Sequence, residues 1–213
     1  MGELILVRHG QTEWSTAGKH TGRTDVPLTP AGDAGAARLA AMLASRVAAG
    51  HPITAVITSP AARAMRTAEL AGLGGPDGAG TVSGVKPEID PDLWEWDYGG
   101  YEGRTTPEIQ DRRPGWYLWR DGVIPGDAAH PGETAGQVGA RADRVLARAG
   151  ALLPDGDVVL VGHGHVLRVL VARYLGLMPE DGRLFRLDTG TLSTLGTEHG
   201  EPVMLTWNVA PPA

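Results

Sequence analysis

The sequence predicts an α/β fold: a three-layer α/β/α domain with a mostly parallel central sheet, helices on both faces and an antiparallel edge strand near the C-terminus. Three observations carry that prediction. Short apolar runs alternate with longer helix-like stretches, the pattern of a parallel sheet joined by crossover helices. The runs Leu4–Val7, Ala55–Thr58 and Val158–Val161 are apolar, as strands covered on both faces are. The chain closes on two β-like runs with a turn signal between them.

The elements follow in order. Leu4-Ile5-Leu6-Val7 is the first strand. Thr29-Pro30 reads as an N-cap followed by proline at the first helical position, opening a helix from Ala31 to about Ala49 that Gly50 closes. Ala55–Thr58 is the second strand, and Ser59-Pro60, another cap-plus-proline pair, starts a helix to about Leu70. Gly72–Gly84 is glycine-rich and reads as a mobile connection, with a short strand at Val85–Ile89. Helices are expected over Pro107–Arg112 and Glu133–Leu153. Val158–Val161 is the third strand, followed by Gly162 and a helix from Val166 to Leu175. Thr191–Thr197 and Val203–Val209 form the final pair around a Glu198-His199-Gly200-Glu201 loop. The expected organisation is one domain over 1–213, with 93–132 contributing a cap. That segment holds four of the six Trp residues.

Composition narrows the function classes. With 213 residues, of which 42% are hydrophobic, the chain can bury a core without staples. The absence of cysteine excludes disulfides, thiolate zinc sites and a cysteine nucleophile. A net charge of −6 and no Lys/Arg stripe argue against nucleic acid as a partner. No apolar run is long enough to span a bilayer, and no signal-peptide pattern opens the chain, so the expected location is cytoplasmic and off the membrane. A cluster of arginines can still make a positive pocket on an acidic surface, because focusing in a cleft depends on local charge.

Such a cluster is encoded at the strand ends. Val7 leads into Arg8-His9-Gly10, Thr58 into Ser59 and then Arg63, and Val161 into Gly162-His163-Gly164. If these strands are parallel neighbours, Arg8, His9, Arg63 and His163 converge beyond one end of the sheet, where open α/β sheets bind ligands. Arginine forks and helix N-termini both favour phosphate oxygens. Glycines beside the histidines let a ligand approach the backbone.

These motifs resemble the histidine phosphatase superfamily, also called phosphoglycerate-mutase-like. Leu6-Val7-Arg8-His9-Gly10-Gln11-Thr12-Glu13-Trp14-Ser15 is similar to its phosphohistidine signature, and Thr21–Thr29 continues the likeness. Ser59-Pro60 with Arg63-Ala64 and Thr67-Ala68 resembles a second motif. Leu93, Glu95, Tyr98-Gly99 and Glu102-Gly103 resemble a third, and Val161–Gly164 a fourth. Pro131-Gly132-Glu133-Thr134 is similar to another recurring segment. The motifs run in family order over nearly the whole chain.

The resemblance implies roles. His9 is the nucleophile, and Arg8, Arg63 and His163 bind the transferred phosphoryl group; the charge the chemistry requires is expected from the two arginines and a protonated His163. Glu95 is the proton donor, with Asp97 and Glu102 as nearby rivals. Gln11, Ser15, Thr21, Gly22, Tyr98 and Gly164 contact phosphate or substrate, or lie near the pocket. No metal or other cofactor is expected, although His163-x-His165 has the spacing of metal ligands. His165 reads as pocket wall or structural, and Arg23 and Arg168 as partners of carboxylates.

The chemistry suits these residue types. Neutral imidazole attacks a phosphomonoester without adding a negative charge and leaves a labile phosphohistidine. Its other ring nitrogen must keep a proton, on a backbone carbonyl, to free the attacking one. Positively charged donors then stabilise the equatorial oxygens. Trp94 and Trp96 flank Glu95, which points to desolvation, while the arginines act in the opposite sense. The expected activity is hydrolysis of a small phosphorylated metabolite, a sugar phosphate or phosphoglycerate-like ester. The alternatives are a bisphosphate-dependent mutase and a non-catalytic phosphometabolite-binding protein. Trp96 stands where such mutases carry an arginine. A homodimer is compatible with all three readings.

Overall fold

A computed structural model of the protein describes residues 2–212. In chain order the elements are β1 (Leu4–Arg8), α1 (Glu13–Thr16), α2 (Pro30–Ala48), β2 (Ile53–Thr58), α3 (Ala62–Leu70), β3 (Gly74–Gly75), β4 (Gly78–Ala79), β5 (Glu88–Ile89), α4 (Thr106–Gln110), α5 (Leu118–Asp121), α6 (Ala135–Leu152), β6 (Asp157–Gly162), α7 (Gly164–Tyr174), β7 (Leu192–Glu198) and β8 (Glu201–Val209). Short 3-10 turns lie at Pro91–Leu93, Gly99–Tyr101 and Pro179–Leu184.

The main sheet has the order β5-β2-β6-β1-β7-β8. β5, β2, β6 and β1 pair in parallel, while β7 is antiparallel to both β1 and β8. Each parallel strand alternates between two cores, as a period of two requires. Leu4, Leu6, Val158 and Leu160 face the layer of α6 and α7, where Val138, Val145 and Val166 pack. Ile5, Val7, Val159 and Val161 face the layer of α2 and α3, where Leu39, Leu43, Ala64 and Ala68 pack. These are the expected three layers, with the mixed edge supplied by β7 and β8. His199 and Gly200, both at positive φ, join those two strands in a tight hairpin. No helix of the described residues is long and apolar enough to cross a membrane.

Several local expectations shift. Thr29 caps α2 as read, its side chain accepting from Gly32 N–H. Ser59, by contrast, is not the cap residue of α3; its hydroxyl accepts the Ala61 N–H before the helix, at 3.3 Å. α3 starts later, after Ala61 and without a side-chain cap, which frees the Ser59 hydroxyl for the site. The glycine-rich connection contains the small β3–β4 hairpin, and the strand after it shrinks to Glu88–Ile89. The segment 93–132 sends Trp96, Trp116 and Trp119 into the core on the α6–α7 side.

Candidate active site

The register of β1 beside β6, with Arg8 opposite Gly162, brings the two histidine-bearing strand ends together. The His9 and His163 rings lie 5.1 Å apart, edge to face. His9 is buried, and its Nδ1 lies 2.7 Å from the Gly10 carbonyl oxygen. A carbonyl only accepts, so Nδ1 carries the proton and Nε2 keeps its lone pair. Burial first, then the charges of Arg63 and Arg8, hold His9 well below the ordinary histidine value, which keeps the ring neutral.

Arg8 lies beside it without a carboxylate in contact. Its NH1 donates to the Leu187 carbonyl, and its Nε–H is buried with no partner. Burial lowers its pKa, opposed through space by Glu95. An arginine stays charged under such pressure, so the pocket holds a desolvated cation with a donor unused. Gly164 makes room for it, since a Cβ there would fall 3.1 Å from Arg8 Cζ.

His163 is fully buried behind His9. Arg63 Nε–H donates to its Nδ1 at 3.1 Å, so the ring proton sits on Nε2, which meets Ser59 Oγ at 2.7 Å. Burial and the Arg63 charge push His163 well below its usual value. The expectation of a protonated His163 is therefore corrected: it is a neutral donor. Arg63 is also buried, and its terminal nitrogens donate to the carbonyls of Gly22 and Thr24, each at 2.9 Å. It lies beneath the pocket, fastening the 21–24 loop and His163.

Glu95 enters from the loop after Pro91–Leu93 and lies at the N-terminus of α7. Its Oε1 accepts from the Trp96 and Val166 amides, both at 2.8 Å, and its Oε2 accepts from the His165 amide at 2.9 Å. The rivals are occupied elsewhere. Asp97 accepts from Gly99 N–H, and Glu102 accepts from the amides of Gly22 and Thr24.

A cavity of about 190 Å³ opens above this floor, lined by Arg8, His9, Glu95, Tyr98 and Gly164 together with Ser15, Lys19, His20, Thr21, His165 and Arg168. Tyr98 and His165 share a 2.6 Å hydrogen bond. Burial raises Tyr98 well above its usual value, lowers His165 well below its own, and takes His20 down to about 4. Ser15 lines the cavity while forming the capping box of α1 with Thr12, and Thr21 bonds the Lys19 carbonyl. Gln11 and Gly22 depart from their expected roles. The Gln11 side chain accepts from Thr29 at the start of α2. Gly22 is pressed so closely that a Cβ would lie 2.6 Å from the Trp96 carbonyl.

Arg168 also departs from expectation. It pairs with no carboxylate, donates to the Gly182 and Arg183 carbonyls, and stacks on Trp119 at 4.7 Å. Sequence reading missed Lys19, His20, Ser59 and Arg168 as site residues. The one available signal was Arg168's place four residues after Gly164, one turn farther along α7. Among the described residues, no group of three or more His, Asp or Glu is placed to hold a metal ion.

A family model described as the histidine phosphatase superfamily (branch 1) matches residues 4–210, and the chain belongs to that superfamily. A Mycobacterium tuberculosis protein named acid phosphatase is 41% identical over 197 residues, covering 92% of this chain and 87% of its own. A Saccharomyces cerevisiae protein named sedoheptulose 1,7-bisphosphatase is 37% identical over 190 residues, covering 81% and 67%. A solved structure of a Mycobacterium tuberculosis open reading frame superposes with a TM-score of 0.85 at 36% identity, covering 99% of both chains. A Cronobacter sakazakii protein named probable phosphoglycerate mutase is 31% identical over 209 residues, covering 98% and 91%.

Proposed function

We propose that this chain is a metal-independent phosphomonoesterase that hydrolyses a small phosphorylated metabolite through a phosphohistidine on His9. One observation carries the reading: a neutral His9 with a free Nε2 sits beside a buried arginine whose Nε–H has no partner. In the first step the Nε2–P bond forms as the P–O bond to the alcohol breaks. Arg8 stabilises the equatorial oxygens, and the neutral Nε2–H of His163 turns from Ser59 to a further oxygen. Glu95 is the group that gives the leaving oxygen its proton. In the second step Glu95 takes a proton from water, which attacks phosphorus and releases phosphate and free His9.

Lys19 and Arg168 in the cavity lining favour an ester with a second anionic or hydroxyl-rich group, as sugar phosphates and phosphoglycerates have. The relatives named phosphatases support hydrolysis. The mutase reading, which the relative of that name favours, differs in returning the phosphoryl group to a second hydroxyl. At the position after Glu95, Trp96 is buried with its indole N–H on the Glu133 carbonyl, so it offers the pocket no charge.

A panel of phosphomonoesters assayed for phosphate release tests the proposal. Turnover should persist in chelator, and His9→Ala should lower it at least about a thousandfold and abolish labelling of the protein by substrate phosphate. Loss in chelator with rescue by a divalent cation, or turnover retained by His9→Ala, would overturn it. Interconversion of phosphoglycerates with little phosphate released would establish the mutase reading instead.

A further inference from the structure

The Pro131-Gly132-Glu133-Thr134 stretch has no place in the mechanism so far, and Glu133 is built into the structure in an unusual way. Its carboxylate receives Arg141 from α6 in a two-pronged pair, Nε to Oε1 at 2.9 Å and NH2 to Oε2 at 3.1 Å. Their side chains are only 6% (Arg141) and 15% (Glu133) exposed. The remaining Arg141 nitrogen, NH1, donates to the carbonyl oxygens of Asp92, at 2.7 Å, and Trp94. Glu133 holds the other side of the same loop. Its Oε2 accepts from Asp97 N–H at 2.9 Å, its carbonyl accepts the Trp96 indole N–H at 2.8 Å, and its amide donates to the Asp97 carbonyl at 2.9 Å. Glu95 lies between these anchor points.

A buried ion pair is a poor device for stability, because desolvation offsets most of its attraction. Its hydrogen bonds are directional, however, and here every one of them ends on the backbone or an indole flanking a single carboxyl group. The outer pairs that Arg144 and Arg148 make with Asp92 and Asp90 are more exposed and act weakly by comparison. The geometry points to Arg141 and Glu133 as positioning residues that clamp the loop on both sides of Glu95 and set where its proton meets the leaving oxygen. A displacement of about 1 Å at such a group is enough to cost most of its effect. This assignment rests on the reading of Glu95 as the proton donor.

The test uses kcat/KM for two small esters, phenyl phosphate and p-nitrophenyl phosphate. This parameter reports the first phosphoryl transfer, and only the poorer leaving group, phenol, depends strongly on a donated proton. Glu95→Gln should lower kcat/KM for phenyl phosphate by about a hundredfold more than for p-nitrophenyl phosphate. Glu133→Gln and Arg141→Lys should show the same selectivity at about tenfold, with KM changing less than kcat. Trp96→Phe, which removes only the indole bond to Glu133, should show it at about twofold and serves if the other variants fail to fold. Equal losses on both esters, or no loss, in the Glu133, Arg141 and Trp96 variants would overturn the clamp while Glu95→Gln remained selective. An unselective Glu95→Gln would instead overturn the role of Glu95 itself, and the clamp with it.

Discussion

The floor and the wall of the pocket are built on opposite principles. The floor consists of Arg8, His9, Arg63 and His163 at the ends of β1 and β6 and the start of α3, where the strand ladder places most of the backbone. Its charged and polar groups are held by carbonyls, by each other and by the Ser59 hydroxyl, while the Arg8 Nε–H has no partner. The wall supplied by residues 93–133, which put Glu95 and Tyr98 in the cavity lining, has little regular structure and is fastened by the Arg141–Glu133 pair and by edge-to-face and tilted aromatic contacts. A strand end holds chemistry in place through the sheet itself. A loop must be given its rigidity side chain by side chain. Apart from Glu95, which the wall supplies, catalytic power is thus expected to be concentrated in the floor and stability cost in the wall.

The sharpest attempt to break this contrast is Arg8→Ala. It should lower kcat/KM by about a thousandfold, or about 4 kcal/mol of transition-state stabilisation, because a desolvated donor aimed at a developing charge is lost. Arg8→Lys should not restore activity, since an ammonium cannot present the same fork. The melting temperature should stay level or rise, because an unpaired buried cation is removed. A large fall in melting temperature would erase the distinction.

Trp119→Ala is the converse test and the next in size. Trp119 is buried behind His165 and Arg168 rather than in the cavity lining. Its removal should cost about 3 kcal/mol in denaturant unfolding, the low end for a buried tryptophan. Activity on a small aryl phosphate should persist, with selectivity among larger substrates altered through Arg168. Chemistry lost as completely as in Arg8→Ala would show that wall and floor are one unit.

The smallest effect concerns pH. His20 falls from the usual 6.5 to about 4 because the folded protein buries it. The unfolded chain therefore binds more protons below 6.5, and stability declines as pH falls from there toward 4. At pH 5 the His20 contribution is about 2 kcal/mol. His20→Asn should reduce the acid-induced loss between pH 7 and 5 by that amount in urea titrations. An unchanged loss would place the acid sensitivity in the floor histidines. His9 is also held neutral below 6.5, so kcat/KM should not fall with a midpoint near the ordinary histidine value.

Legibility in the sequence follows the same division. Thr29 and Pro30 set the start of α2 by local capping, and the apolar runs marked β1, β2 and β6. The strand-end motifs named His9, Arg8 and His163, because a residue directly after a parallel strand has a location fixed by the strand. Glu95 was legible only through resemblance, since nothing local tells it from Asp97 or Glu102. Two backbone amides of α7 and the clamp from α6 make that distinction, across more than 30 residues of chain.

By itself, then, the sequence determined the layers, the order of the elements and the identity of the groups at the strand ends, because these depend on periodicity and on neighbours along the chain. Only the tertiary structure decided the protonation of His163, the use of Ser59, the binding of Gln11 to Thr29 and of Gly22 to Arg63 and Glu102, and the arrival of Lys19, His20 and Arg168 at the pocket. Those depend on which distant group supplies a donor, a charge or a desolvating wall, and that is a property of the folded surface rather than of any local run of residues.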